Sequence, residues 1–297
     1  MSIVSIDLGS NSFRVLKYNC KKHKTIAEFE KTVGTADGLI KSKKISNEAL
    51  KRIIDAINQS KKIVDYKGYE AVAMTTQAMR VASNSKEILQ SIKDQTDVSF
   101  TIIDGIKEAK LTLLAMQYAL KRENLPSDDF ILLDIGGGST ELIIYQDSKE
   151  IIKSFPYGIV TLSQSNEKVK DFNLFKNLIN EFIKDKNILA SQFISTAGTP
   201  TTIAALKQGL DFQSYDKYKV NGTTLNLLEI QNIQNKLLNL TKEQLEKKVG
   251  TGRDDYINTG IEIYKLFYQS LKKDLSIVFD DGLREGIAIE QCLKQVV

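Results

Sequence analysis

Two eight-residue segments constrain the fold of this chain more than any other feature. Asp7-Leu8-Gly9-Ser10-Asn11-Ser12-Phe13-Arg14 and Asp134-Ile135-Gly136-Gly137-Gly138-Ser139-Thr140-Glu141 lie 127 residues apart and agree at the Asp, the first Gly and the Ser. Each lies between two short apolar runs and reads as strand–turn–strand. Such a repeat predicts two related domains of similar size facing each other across a cleft. The 297 residues suffice for two cores of about 150 residues each.

The remaining pattern alternates strands with helices and predicts an α/β architecture of layered sheets. Strands are expected over 2–6, 13–18, 69–75, 98–103, 130–135, 140–145, 193–196 and 276–279. Helices are expected over 46–64, with Ser46 as N-cap, and over 77–90, 108–121, 171–187 and 199–209. Further helices are expected over 224–238, 241–248, 257–271 and 284–296. Leu125-Pro126-Ser127-Asp128-Asp129 is the best candidate for a domain junction. It places the first domain at 1–123, completed by a C-terminal helix over 285–297, and the second at 124–284.

Composition narrows the function classes. Hydrophobic residues make up 42% and the 41 basic and 37 acidic residues leave only +4, which excludes disorder and argues against a nucleic-acid binder. Cys20 and Cys292 make no disulfide framework and are not spaced as metal ligands, so a reducing cytoplasm is expected. The single histidine, His23, lies in the charged run Lys21-Lys22-His23-Lys24, a surface turn, which excludes histidine-based triads. The first apolar run is too short for a signal-peptide core or a spanning helix, and no membrane association is expected.

Three consecutive glycines cost conformational entropy, and an ordinary hairpin turn needs only one. Their use is a bare backbone whose N–H groups approach an anion, with Ser139 and Thr140 adding hydroxyls; a phosphate is the natural guest. No Gly-Lys-Ser/Thr precedes a helix, so this is not a P-loop, and the extended segment after the glycines excludes a dinucleotide fingerprint. Asp134 and Glu141, on opposite arms of the hairpin, would repel a phosphate unless a divalent cation lay between them. Mg²⁺ fits hard oxygen ligands, and Asp7 is a third carboxylate at the mirrored position. Arg80 offers a fork for phosphate. Glu108 stands near a helix start, where an acid is also ordinary dipole compensation. Gly198-Thr199 opens another helix whose free N–H groups suit an anion.

In order along the chain these residues resemble the exopolyphosphatase/guanosine pentaphosphate phosphatase (Ppx/GppA) family of the sugar kinase–Hsp70–actin superfamily. The resemblance comprises the Asp7 segment, Thr75 to Asn84 with Arg80, Gly105, Glu108-Ala109 and the Asp134 segment. It continues through Pro156-Tyr157-Gly158, Gly198-Thr199, Arg253-Asp254-Asp255 and Gly282-Leu283-Arg284-Glu285-Gly286. It implies two actin-like (ribonuclease H-like) domains with the active site in the cleft between them. Glu108 would activate water, and Asp134, Glu141 and Asp7 would serve Mg²⁺, with Mn²⁺ a substitute. Arg80, Ser139 and the backbone of Gly136, Gly137 and Gly138 would hold the phosphate being cleaved. Asn11, Ser12 and Arg14 would form the opposing phosphate loop. The implied reaction releases orthophosphate from inorganic polyphosphate. The alternative is hydrolysis of guanosine pentaphosphate (pppGpp) to the tetraphosphate, a stringent-response reaction. A homodimer is left open.

The chain departs from the family pattern at Lys107, where a first glutamate is usual, at Lys110, and at Thr32 and Thr161, where arginines are common. The basic residues left to grip distal phosphates are Lys21, Lys22, Lys24, Lys41, Lys43, Lys44 and Lys107. Lysine binds as a point charge, so a preference for short or medium polyphosphate and low processivity are expected.

Overall fold

The computed structural model describes residues 2–184 and 186–295. The chain opens with β1 (Ser2–Leu8), β2 (Ser12–Asn19) and β3 (Lys24–Thr32), then α1 (Leu39–Ser42) and α2 (Asn47–Val64). It continues with β4 (Glu70–Thr75), α3 (Gln77–Val81), α4 (Ser85–Thr96), β5 (Phe100–Ile102) and α5 (Gly105–Arg122). β1 is almost continuously buried because it runs in the middle of the sheet, antiparallel to β2 and parallel to β4. The sheet order is β3-β2-β1-β4-β5. α2 begins where expected, the Ser46 hydroxyl accepting from Ala49 N–H at 3.1 Å.

The next stretch comprises β6 (Phe130–Ile135), β7 (Thr140–Gln146), β8 (Lys149–Phe155), α6 (Ile159–Ser163), α7 (Lys168–Ile183) and β9 (Gln192–Thr196). There follow α8 (Gly198–Lys207), α9 (Lys217–Val220), β10 (Thr223–Asn226), α10 (Leu227–Leu238), α11 (Lys242–Val249), α12 (Ile257–Leu271) and β11 (Leu275–Val278). From its β8 edge this sheet runs β8-β7-β6-β9-β11-β10. The first five strands repeat the order and directions of the other sheet, and β10 is an added antiparallel edge. The chain closes with α13 (Leu283–Lys294), which lies against β1. It packs as two units, Met1–Ala115 with Gly282–Val297, and Met116–Asp281.

Several elements differ from the sequence expectation. β3 and β8 are strands that charge concealed: as sheet edges they keep one face in solvent, so Lys and Glu alternate with apolar residues. The helix expected over 77–90 is broken between α3 and α4. There Asn84 leaves the helical path and pairs with the Ile45 backbone, accepting from its N–H at 2.9 Å and donating to its C=O at 3.0 Å. The helix expected from 224 begins only at Leu227, because Thr223–Asn226 pairs with β11 and Asn226 then caps α10. The cysteines require a correction as well. Cys20, just after β2, and Cys292, in the last turn of α13, are joined in a disulfide. Tertiary packing unites what 272 residues of sequence separate. Among the described residues no helix is long and apolar enough to cross a membrane.

Candidate active site

The turn between β6 and β7 is closed by Gly136 N–H, which donates to the Ser139 carbonyl at 3.0 Å. Its carbonyls are held from the other side. Ile159 N–H donates to the Gly136 C=O at 3.0 Å and Val160 N–H to the Gly137 C=O at 2.8 Å, both from the start of α6. In a trans peptide the carbonyl and the following N–H point in opposite directions. The N–H groups of Gly137 and Gly138 therefore face away from α6, and neither has an acceptor among the described residues. That side of the turn is a bare backbone cradle. Gly158 makes it possible: a Cβ there would lie 2.5 Å from the Gly137 oxygen and 2.6 Å from that of Gly136. Thr161, at a position where an arginine was expected, accepts from Gly158 N–H at 2.7 Å and so caps α6 beneath the loop.

Beside the cradle runs a transverse row of polar residues. Asp134 on β6 is the register partner of Glu141 on β7 and of Thr196 on β9, and Glu141 is the partner of Ser154 on β8. Direct partners in an antiparallel pair carry their Cβ atoms about 5 Å apart on one face. Glu141 is 1% exposed, and its Oε1 accepts from the Ser154 hydroxyl at 2.7 Å. Two neighbouring carboxylates, one of them buried, form a hard-oxygen donor pair that suits Mg²⁺. No group of three or more acidic, histidine or cysteine side chains forms a ligand set among the described residues. Asp7, on β1, has Arg14 as its register partner.

The turn between β1 and β2 is built in the same way. Gly9 N–H donates to the Ser12 carbonyl at 2.9 Å, and the carbonyls of Ser10 and Asn11 accept from Ala36, Val33 and Gly34. Ser10 and Asn11 are buried. Arg14 pairs across the strand with Glu30, Nε to Oε2 at 3.4 Å.

Glu108 lies in the first turn of α5, where the helix dipole favours its charge. The structure brings Arg80 to it: Nη1 of Arg80 donates to Glu108 Oε2 at 3.0 Å and to the Ile103 carbonyl at 2.6 Å. Arg80 Nε donates to Gln77 Oε1 at 3.0 Å, leaving Nη2 without a partner among the described residues. The two residues expected to serve water and phosphate thus form one ion pair, with only the outer nitrogen left for an incoming anion. Lys107, one of the lysines expected to contact distal phosphates, has its ammonium engaged by Glu290 of α13. Of the remaining lysines proposed for that purpose, Lys21, Lys22, Lys24, Lys41, Lys43 and Lys44 are exposed.

At the start of α8 the Gly198 and Thr199 side of the expected anion site is partly filled. The Thr199 hydroxyl occupies the space where a Cβ on Gly260 would stand, 2.0 Å from it, so it faces α12. A profile of the Ppx/GppA phosphatase family matches residues 15–295. The chain belongs to the Ppx/GppA phosphatase family. It is 26% identical over 96% of its length to the bifunctional 3-dehydroquinate synthase/phosphatase of Fusobacterium nucleatum, covering 46% of that protein. It is 30% identical to exopolyphosphatase 1 of Mycobacterium leprae over 55% of this chain and 49% of that one. The chain therefore spans about half the length of these curated relatives. A solved Ppx/GppA family member from Aquifex aeolicus superposes with a TM-score of 0.76 at 28% identity, over 99% of this chain and 98% of that one.

Membership in the Ppx/GppA family also gives the Gly282-to-Gly286 segment a physical reading. Glu285 accepts from Gly282 N–H at 2.9 Å and from Arg284 Nε at 2.7 Å, fixing the start of α13. Gly286 lies so close to α5 that a Cβ would stand 2.0 Å from the Leu111 oxygen. Sequence reasoning missed Gln77, Ser154 and Glu290. Their partners are 3, 13 and 183 residues away, and only Gln77 and Arg80, at i and i+3 on one helix, left a local signal.

Proposed function

We propose that this chain hydrolyses the terminal phosphoanhydride of inorganic polyphosphate and releases orthophosphate. The observation that carries the reading is the cradle of Gly137 and Gly138 amides set beside the Asp134–Glu141 acid pair. Outward amides suit an anion, and adjacent carboxylates suit a divalent cation. The shared strand order of the two sheets supports reading them as actin-like domains, and the exopolyphosphatase among the relatives supports the substrate class.

In this reading a water oxygen attacks the terminal phosphorus, the bridging P–O bond breaks, and Glu108 takes the water proton. Arg80 positions Glu108 through Nη1 and offers Nη2 to the phosphoryl oxygens. The amides of Gly137 and Gly138, with Ser139, receive the terminal phosphate, where fixed donors meet the charge that develops on transfer. Asp134 and Glu141 would hold Mg²⁺, or Mn²⁺ in its place, which when bound supplies neutralising charge for the polyanion. Asn11, Ser12 and Arg14 serve further phosphates, and Gly198 and Thr199 contribute backbone amides at the start of α8. The test measures orthophosphate release from polyphosphate and from guanosine pentaphosphate at matched concentration with Mg²⁺. Release from polyphosphate is expected to be faster; the reverse preference makes the chain a guanosine pentaphosphate hydrolase, and no release from either overturns the reading.

A further inference from the structure

We propose that Cys20 and Cys292 are a redox modification site, through which thiol–disulfide exchange sets how firmly α13 is docked and thereby tunes the helix that carries Glu108. The two sulfurs meet only when α13 is seated, because one follows β2 and the other lies in the last turn of that helix. Their bond therefore ties the final helix to the first hairpin.

The two halves of α13 are held by different forces. Its first half is packed on α5: Gly286 touches the Leu111 backbone, and Leu283 and Ile287 join Ile103 and Leu111 in one apolar cluster. Its second half buries Ile289 and otherwise relies on polar pairs nearer the surface. Gln291 and Gln295 donate to Glu70, while Glu290 receives Lys107 and Lys294. Exposed pairs of this kind hold weakly, so the disulfide is the strongest tie on that half. Lys107 is the neighbour of Glu108 in the first turn of α5, which makes the Glu290 pair the route from the disulfide to the base.

The exchange balances without any further reactant than a dithiol. A thiolate of the reductant attacks one cysteine sulfur, the S–S bond breaks, and a mixed disulfide forms. The second thiol of the reductant then closes its own ring and releases the other partner. Two electrons and two protons pass to the protein, leaving two cysteine thiols and an oxidised cyclic reductant. Cys20 and Cys292 are buried, so attack needs the last turn of α13 to open, and helix ends are where local opening begins.

The experiment uses the full chain, oxidised with oxidised glutathione or reduced with dithiothreitol. Alkylation in denaturant is expected to label no cysteine in the first state and two in the second. Reduction is expected to speed amide exchange in α13 and in residues 105–110, and to lower Tm by more than about 5 °C. Phosphate release is expected to fall at least threefold, and reoxidation to restore all three. The double variant Cys20→Ser with Cys292→Ser should match the reduced protein and ignore dithiothreitol. Two labelled thiols after oxidation, or unchanged exchange in α13, overturns the site. Faster exchange with unchanged phosphate release overturns its reach to Glu108. The activity arm alone rests on the proposed function: absence of phosphate release in every state overturns that function, while labelling and exchange still decide the site.

Discussion

In the turn after β1, Gly9 N–H donates to Ser12 C=O at 2.9 Å; in the turn after β6, Gly136 N–H donates to Ser139 C=O at 3.0 Å. In both units the segment after the third strand then ties down the turn carbonyls, Val33 to Ala36 in one and Ile159 and Val160 in the other. The side chains on the second strand are opposites. Arg14 faces Asp7 and pairs with Glu30, whereas Glu141 faces Asp134 and takes a hydroxyl from Ser154. The backbone is shared because the same few hydrogen bonds close the turn. The row beside it diverged because cross-strand side chains are not needed for closure. One row answers its acid with a cation from the protein; the other sets acid beside acid.

The largest expected effect lies outside both rows, at Glu108, the proposed base. Glu108→Gln keeps the size and one oxygen, so turnover should fall by about 10²- to 10⁴-fold with the Michaelis constant little changed. Near wild-type phosphate release would remove Glu108 from the role of base. Next comes the acid pair. Chelation should abolish phosphate release, and Mg²⁺ should restore it and raise Tm. Glu141→Gln should lose that Tm shift, whereas Glu30→Gln on the other row should keep it. An equal response from both variants, read by calorimetry, would mean the rows do not differ as described.

The glycines sharpen the comparison at the level of stability. A Cβ on Gly9 meets only the Ser12 oxygen at 3.4 Å, while on Gly136 it meets the Ser139 oxygen at 2.9 Å. Gly158→Ala should therefore cost the most, about 3 kcal/mol or above, Gly136→Ala about 1–2 kcal/mol, and Gly9→Ala under about 0.5 kcal/mol. Urea unfolding of the three variants checks the order. A smaller contrast lies in two threonines after the third strands. The Thr161 hydroxyl caps α6, so Thr161→Val should destabilise by about 1 kcal/mol. Thr35 Oγ1 is fully buried without a partner, so Thr35→Val should be neutral or stabilising by up to about 1 kcal/mol.

The smallest effect tests the α13 brace, which only the first unit carries. Burial acts to raise the Glu290 carboxyl, but bonds from Lys107 and Lys294 outweigh it and hold it below the usual carboxylate value. A depressed acid contributes stability above its unfolded-state value and loses it as pH falls through the folded one. Glu290→Gln should thus cost under about 1 kcal/mol at neutral pH, and the difference should vanish on acidification below about pH 4. A difference that grows in acid would contradict the pairing.

Much of this site was legible because it is local. Asp134 and Glu141 flank a tight turn, and a turn of known length places its two arms in register, so their pairing follows from seven residues of sequence. The same holds for Ser46 on α2 and for the strands with unbroken apolar runs. β3 and β8 were hidden because an edge strand alternates charge with apolar residues and resembles a solvated loop. Asn84 broke a helix whose periodicity was sound, because its amide finds a partner 39 residues away.

What the sequence by itself determined is the repeated turn, its glycine backbone and the kind of chemistry its acids suit. These depend on conformational freedom and charge within a few residues. Tertiary structure alone decided that Arg80 is bound to Glu108, that Lys107 is spent on Glu290, and that Cys20 meets Cys292. Each of these joins side chains from separate elements, 28, 183 and 272 residues apart, and only the packing of helices on the sheet brings such atoms within a bond's reach.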